Sequence, residues 1–401
     1  MRFILYTNRY SPHELPLFLA CAEVFDDAVY VVNQPWIQDG SRKGWCPDLK
    51  GRKTIILQDV KPEARESVFA GLLSDDSLLM YGCYDTPYQD LICKSKGIVI
   101  YASERWLKPL CVRVPLLNIA LKIPGIAHLL NPRFIVRVFS LVGRLRDSDR
   151  LFYFPQGVYA ACDVARLCGL MHGDLRCLYH LPEPDFERKP SGKICFKSGD
   201  AGKSYSLDKM RMWGYFVEPS KFANSQRTHS LTSISSTLKV LWVGRLLNWK
   251  RVDTIIKAVG QLSTVEKITL DIYGEGPEFR NLSKLAIEYG DVIRFHPFVS
   301  MEEIRGLMRA HDVYVLSSNE YEGWGAVVSE ALEEGMKVLC SREAGAGATV
   351  LPDECLFDCG DVENLRRKLL QPLPKIGIGP WNARNAALQL KEFANDASKR
   401  G

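Results

Sequence analysis

Short, unbroken apolar runs recur along this chain, and they restrict its fold more tightly than any other feature. The first half carries Phe3-Ile4-Leu5-Tyr6, Val29-Tyr30-Val31-Val32, Thr54-Ile55-Ile56-Leu57, Leu78-Leu79-Met80-Tyr81, Ile98-Val99-Ile100-Tyr101 and Leu151-Phe152-Tyr153-Phe154. The second half offers further strand candidates in Lys239–Val243, Ile268–Tyr273, Val292–Phe295, Val313–Leu316 and Lys337–Cys340. Short continuous apolar runs, as in the first half, are those of parallel strands covered on both faces. Segments of helical period separate many of them: Leu15–Val24, Gly157–Gly169, Val252–Leu262, Pro277–Tyr289, Met301–Ala310 and Ala326–Glu334. Strands alternating with helices predict α/β architecture with doubly wound parallel sheets. At 401 residues the chain exceeds one ordinary core, so two domains are expected. The serine- and threonine-rich stretch 219–237 reads as a linker between domains at 1–218 and 238–380. A proline-interrupted segment, Gln371–Trp381, then leads to a last helix, Asn382–Ala397, within the closing segment 381–401.

Composition narrows the class. Hydrophobic content of 46% and charged content of 25% are those of a globular enzyme. No apolar stretch reaches the ~18–20 residues that span a bilayer, and Met1-Arg2-Phe3-Ile4-Leu5-Tyr6 reads as a strand start rather than a signal peptide. The 12 cysteines contain no Cys-x-x-Cys pair and no histidine partners at zinc spacing, which predicts reduced thiols in a cytoplasmic protein. The net charge of +5 is modest but unevenly spread. From Trp106 to Arg146 there is no acidic residue, while Lys108, Arg113, Lys122, Arg133, Arg137, Arg144 and Arg146 stand among large apolar side chains. A helix after Pro132 would align Arg133, Arg137, Ser140 and Arg144 on one stripe. Two readings stay open for residues 107–146: a cationic face on the anionic inner leaflet of the plasma membrane, or a domain helix with solvated arginines. Nucleic acid is not an expected partner.

The chemistry concentrates in the second half. Glu322 and Glu330 lie eight positions apart in Glu322-Gly323-Trp324-Gly325-Ala326-Val327-Val328-Ser329-Glu330. The first falls in a glycine-broken loop after a strand and the second in the helix that follows. A strand–loop–helix turn offers backbone N–H groups to an anion at the helix start, and flanking carboxylates accept hydrogen bonds from hydroxyls. That combination suits a sugar nucleotide. Gly244 lets the chain turn after another strand, Arg245 offers a planar fork for phosphate oxygens, and Lys250 adds a compact positive charge. Together they would neutralise a departing diphosphate.

The Glu322–Glu330 segment resembles the Glu-x7-Glu signature of the retaining glycosyltransferases of the glycosyltransferase-four, or group 1, family. Val243-Gly244-Arg245-Leu246 with Lys250, Tyr273-Gly274-Glu275-Gly276-Pro277, and Ala310-His311-Asp312-Val313 follow the family's order over roughly residues 238–365. The resemblance implies the GT-B fold, two Rossmann-like domains facing across a cleft, with the last helix returning to the N-terminal domain. It implies that Arg245 and Lys250 bind the donor's diphosphate, that Glu330 holds the ribose diol, and that Glu322 faces the donor sugar. Gly323, Trp324 and Gly325 match a Gly-Phe-Gly whose amides line that sugar, with Trp324 a larger replacement that would reshape the pocket. Ala326, Val327 and Val328 would give helix amides to the distal phosphate. His296-Pro297 stands where the family has glycine, leaving the base open between uracil and guanine. Where many relatives place a histidine near the transferred sugar, this chain has Ser103-Glu104. Glu104 either orients the acceptor or pairs with Arg105 or Arg113 at the surface. The loop Thr7–Glu14 lacks the family's Gly-Gly pair.

Two motifs mislead. Asp147-Ser148-Asp149 has the form of a metal-binding Asp-x-Asp but precedes a strand among arginines, and Gly199–Ser204 fails the phosphate-loop pattern because Lys197 replaces its first glycine. The expectation is therefore a metal-independent retaining hexosyltransferase without cofactor. It would move sugar from a UDP- or GDP-sugar to a glycan or lipid-linked acceptor in bacterial cell-surface polysaccharide synthesis. The alternatives are another GT-B enzyme, an epimerase or phosphorylase, or a non-catalytic sugar-nucleotide scaffold.

Overall fold

The computed structural model describes residues 1–10, 13–34, 51–82, 86–106, 136, 140–141, 143–145, 147–171, 184–196, 209–220 and 237–399. The expected membrane face at 107–146, apart from a few positions near its end, lies outside the described residues, as do 221–236 and Gly199–Ser204. The chain folds as two units, Met1–Phe216 with Ala383–Gly401, and Val217–Asn382.

In the first unit, β1 (Arg2–Arg9), α1 (Leu15–Val24), β2 (Asp27–Gln34), β3 (Thr54–Ile56), α2 (Arg65–Ala70), β4 (Ser77–Tyr81), α3 (Gln89–Lys94), β5 (Ile98–Ser103), β6 (Leu151–Pro155) and α4 (Val158–Met171) follow in turn. The six strands form one parallel sheet in the order β3-β2-β1-β4-β5-β6. Phe3, Ile4, Val29 to Val32, Leu78, Leu79 and Ile100 are fully buried, as strands covered on both faces require. A small antiparallel pair, β7 (Pro184–Phe186) and β8 (Ile194–Phe196), stands apart from that sheet.

The second unit repeats the plan with β9 (Leu238–Val243), α5 (Val252–Leu262), β10 (Ile268–Tyr273), α6 (Phe279–Ile287), β11 (Ile293–His296), α7 (Met301–Ala310), β12 (Val313–Leu316), α8 (Ala326–Glu333), β13 (Lys337–Ser341), α9 (Gly345–Val350), β14 (Leu356–Phe357) and α10 (Val362–Leu370). Its sheet order, β11-β10-β9-β12-β13-β14, is the same as that of the first unit. Val240, Trp242, Leu270, Ile272, Val315 and Leu339 pack against Ile255, Ile256 and Val259 of α5. Ser300 and Glu303 close a reciprocal cap at the start of α7. The described end of the linker region belongs to this unit: Ser220 donates from its N–H to Glu333 and from its hydroxyl to Glu334, each at 2.8 Å. Arg305 donates to Glu334 and to the Glu218 carbonyl.

The final helix, α11 (Ala383–Ser398), packs in the first unit beside α1. Phe393 meets Phe152 and Phe154 edge-on, and Lys391 donates to the Val24 carbonyl. No helix among the described residues is long and apolar enough to cross a membrane.

In both sheets the first strand lies inside, and the chain winds out to one edge before jumping back to the other side. The strand order reverses between β1 and β4, and again between β9 and β12. A crevice forms beyond the carboxyl ends of strands at such a reversal.

One buried charge organises the far edge of the second sheet. Asp271 on β10 is 5% exposed. It accepts two hydrogen bonds from Arg294, at 2.9 and 2.7 Å, and pairs with His296 at 2.6 Å and His311 at 3.1 Å. Burial opposes its ionisation, but the bonds from His311, Arg294 and His296 outweigh it and hold the carboxyl well below the usual carboxylate range. A depressed folded pKa stabilises above the unfolded value, ~3.9, and that stability is lost as pH falls through the folded value. Asp271→Asn is expected to lower the unfolding free energy at pH 7 by about 2–4 kcal/mol and to flatten its acid limb below about pH 4. Denaturant titrations across pH check this, and an unchanged acid limb would refute it.

Candidate functional site

The reversal between β9 and β12 brings together two loops that the sequence keeps far apart. The loop after β9 is held by the glycines of the next strand end. Gly244 N–H donates to the Tyr273 carbonyl at 3.1 Å, Leu246 N–H to Glu275 at 2.8 Å, and Glu278 N–H to Leu246 at 3.1 Å. Gly274 sits at φ +148, where a Cβ would come within 1.8 Å of the Gly244 carbonyl oxygen. The Tyr273–Pro277 block is thus a clamp on the Gly244–Leu246 turn, and glycine is required because backbone meets backbone.

Beyond this clamp Arg245 is exposed and pairs with none of the described residues. A short turn, Asn248–Lys250, then carries Lys250 inward. The Lys250 ammonium hydrogen-bonds the Glu322 carboxylate, with 16% and 12% of the two side chains exposed. It also lies 4.5 Å from the centre of the Trp249 ring, a cation–π contact. Ser318 donates to the same Glu322 oxygen at 2.8 Å, and Ser317 donates to the Lys250 carbonyl at 2.7 Å. The Asn319 N–H closes on the Trp249 carbonyl at 2.9 Å. Lys250 and Glu322 therefore share one charge-neutral pair whose geometry both loops support.

Gly323, Trp324 and Gly325 carry the chain into α8. Gly325 adopts φ +96, and a Cβ there would lie 2.7 Å from Leu316. The Ala326 and Val327 amides have no backbone acceptor among the described residues, whereas the Val328 amide is taken by the Gly325 carbonyl at 2.9 Å. Two amides, rather than the three expected, are left for an anion. The indole of Trp324 is 1% exposed, packing beside Trp381 at 5.8 Å and pointing its N–H at Ser329. Its bulk fills the core of the unit, so a ligand beside this turn would meet its backbone.

Glu330, one turn further along α8, is 6% exposed, and its carboxylate hydrogen-bonds none of the described residues. Burial pushes it up to about 7, with the Arg305 charge pulling the other way. A buried acceptor without a donor is costly unless something supplies one, and a vicinal diol supplies two.

Glu104 belongs to the first unit, where it accepts from the Tyr215 hydroxyl at 3.1 Å. Of the two alternative partners expected for it, Arg105 meets Asp163 at 3.1 Å, and Arg113 lies outside the described residues. Sequence reasoning did not single out Trp249, Ser317 or Ser318. The two hydroxyl residues directly after an apolar strand were the available signal. It also missed the stacked pair Tyr273 and His296, 4.3 Å apart and inclined by 12°, at the ends of β10 and β11.

Residues 229–374 match the family model described as glycosyl transferases group 1. An uncharacterized glycosyltransferase of Methanocaldococcus jannaschii is 29% identical over 163 residues, 39% of this chain and 42% of that protein. The lipopolysaccharide core biosynthesis glycosyltransferase LpsE of Rhizobium meliloti is 32% identical over 134 residues, 33% of this chain and 38% of its own length. The matched part thus spans about two-fifths of these curated relatives. The Anabaena protein HepE, solved in complex with UDP and glucose, shares the fold: TM-score 0.52 at 12% identity, covering 99% of this chain and 95% of that one. Its two doubly wound sheets are the GT-B fold. Residues 229–374, which hold the clamped glycine turn and the Lys250–Glu322 junction, are thus similar to the group 1 glycosyltransferases.

Proposed function

We propose that this protein is a retaining glycosyltransferase that moves a sugar from a nucleotide-diphosphate sugar to a glycan or lipid-linked acceptor in cell-surface polysaccharide synthesis. The observation that carries the reading is the meeting of Lys250 and Glu322 at a sheet reversal, beside free helix amides and a buried Glu330 that lacks a donor. Each group fits one part of such a donor. Lys250 and the exposed Arg245 meet the diphosphate, whose charge grows as the bond to the sugar breaks. The Ala326 and Val327 amides meet its outer oxygens, and Glu330 accepts from the ribose hydroxyls. As diphosphate draws Lys250 away, Glu322 is released toward the sugar, where its negative charge favours the developing cationic character at the anomeric carbon. The UDP of the Anabaena relative and the lipopolysaccharide role of the Rhizobium relative agree with this substrate class. Acceptor binding by the first unit and peripheral membrane contact through 107–146 are part of the same proposal.

Saturation-transfer NMR with UDP- and GDP-sugars, followed by donor turnover with and without a lipid-linked acceptor, tests it. Lys250→Ala should weaken nucleotide-diphosphate binding by about 2–4 kcal/mol, while Glu322→Gln, which keeps the shape of the pair, should retain nucleotide binding and lose transfer. Unchanged turnover in both variants would defeat the assignment. Glu330 gives a separate test with a definite sign. Its folded pKa lies above the unfolded value of ~4.3, so its burial costs stability progressively as pH rises from there through about 7. Glu330→Gln should therefore raise the unfolding temperature at pH 8 and still weaken nucleotide binding about tenfold or more. Unaltered nucleotide affinity would remove Glu330 from the site.

A further inference from the structure

The first unit holds a polar pocket that the donor site does not use. It lies at that sheet's own reversal, near the carboxyl ends of β4 and β5, with Leu5, Leu17 and Met80 among its apolar walls and Glu14, Gln156 and Tyr215 among its polar ones. Its interior is 20 Å³, space for about one water-sized group. Ligand crevices in sheets of this order form at that place.

Two of the polar groups keep hydrogen-bonding capacity that no described residue uses. Gln156, the first residue beyond β6, is 8% exposed, and its side-chain amide hydrogen-bonds none of the described residues. Only its backbone N–H is engaged, by the Ser103 carbonyl at 2.8 Å. Glu14 precedes α1; its Oε2 accepts from the Tyr30 hydroxyl at 3.2 Å, and its Oε1 has no described partner. A carboxylate at a helix start is normally favoured in its charged form. Here burial prevails over the Tyr30 hydrogen bond and pushes the carboxyl up to about 7. Near neutrality its protonated form, which both donates and accepts, coexists with the carboxylate. Tyr215 stands beside it, donating to Glu104 and packing 5.6 Å from His13.

An amide and a partly protonated acid among apolar walls suit an uncharged hydroxyl. Phosphate would meet Glu14, and the lining holds no lysine or arginine to balance it. We propose that Gln156 and Glu14 form an acceptor subsite that receives one hydroxyl or hydroxymethyl group of a neutral sugar, the ring staying outside. The subsite rests on the glycosyltransferase reading above and adds the class of acceptor.

Saturation-transfer NMR of the full chain with methyl α-glucoside and methyl β-galactoside, each at about 10 mM, tests it beside parallel titrations of UDP and GDP. A glycoside response is expected, weakened about tenfold or more by Gln156→Leu and by Glu14→Leu and kept by Glu14→Gln. Nucleotide affinity should not change in any of these variants, and unfolding transitions that match the parent chain show that the first unit folds in each. Gln156→Met, which keeps the length without a polar group, replaces the leucine variant if that one misfolds, and it too should lose the response. A glycoside response equal in all variants overturns the subsite. So does silence from both glycosides while nucleotide binds, which leaves the donor reading standing. A Gln156-dependent glycoside response without nucleotide binding does the reverse.

Discussion

The contact between Lys250 and Glu322 joins side chains 72 positions apart, and the second unit's chemistry depends on the strand order that permits it. Because β9 lies between β10 and β12, the connections leaving β9 and β12 emerge side by side. The loops could not otherwise share an ion pair. Burying two charges is unfavourable unless attraction and added hydrogen bonds compensate. Ser318 on the carboxylate and Trp249 beneath the ammonium provide that compensation.

Backbone packing sets where the pair stands. Gly244 and Gly274 approach so closely that a side chain on Gly274 would overlap a carbonyl oxygen. Gly325 likewise turns where Leu316 leaves no room. These are rigid supports under a polar site, on the two loops that carry the exposed Arg245 and the free amides of Ala326 and Val327. At the sheet's other edge, Asp271 gathers Arg294, His296 and His311. It thereby fixes His296 against Tyr273. The substitution that departs from the family at this position is therefore anchored from below by a charge network.

The two units use one architecture for different chemistry. The second gathers cations, amides and acids at its reversal, the groups proposed above to hold a diphosphate. The first gathers an amide, a partly protonated acid and a phenol at the equivalent place. Strand order is the same in both units; side-chain charge is what distinguishes the two proposed sites.

Much of this was legible in the chain itself. Unbroken apolar runs specified buried parallel strands, since hydrophobic burial on both faces leaves no alternation. The order of the Gly244, Gly274 and Glu322 blocks carried the resemblance to group 1 glycosyltransferases, and the donor roles proposed here follow from that resemblance. Element edges shifted by a residue or two: β11 runs to His296 and α6 begins at Phe279 after Pro277. Other features required the fold. That Lys250 answers Glu322 and that Trp324 turns into the core toward Trp381 are decided by which strands become neighbours. The same holds for Glu14 and Gln156, at opposite ends of the sheet's sequence, meeting in one pocket. Local sequence encodes burial and turn, because those act over a few residues. Pairings between distant charges and unsatisfied groups exist only once the sheet has brought them within ångströms.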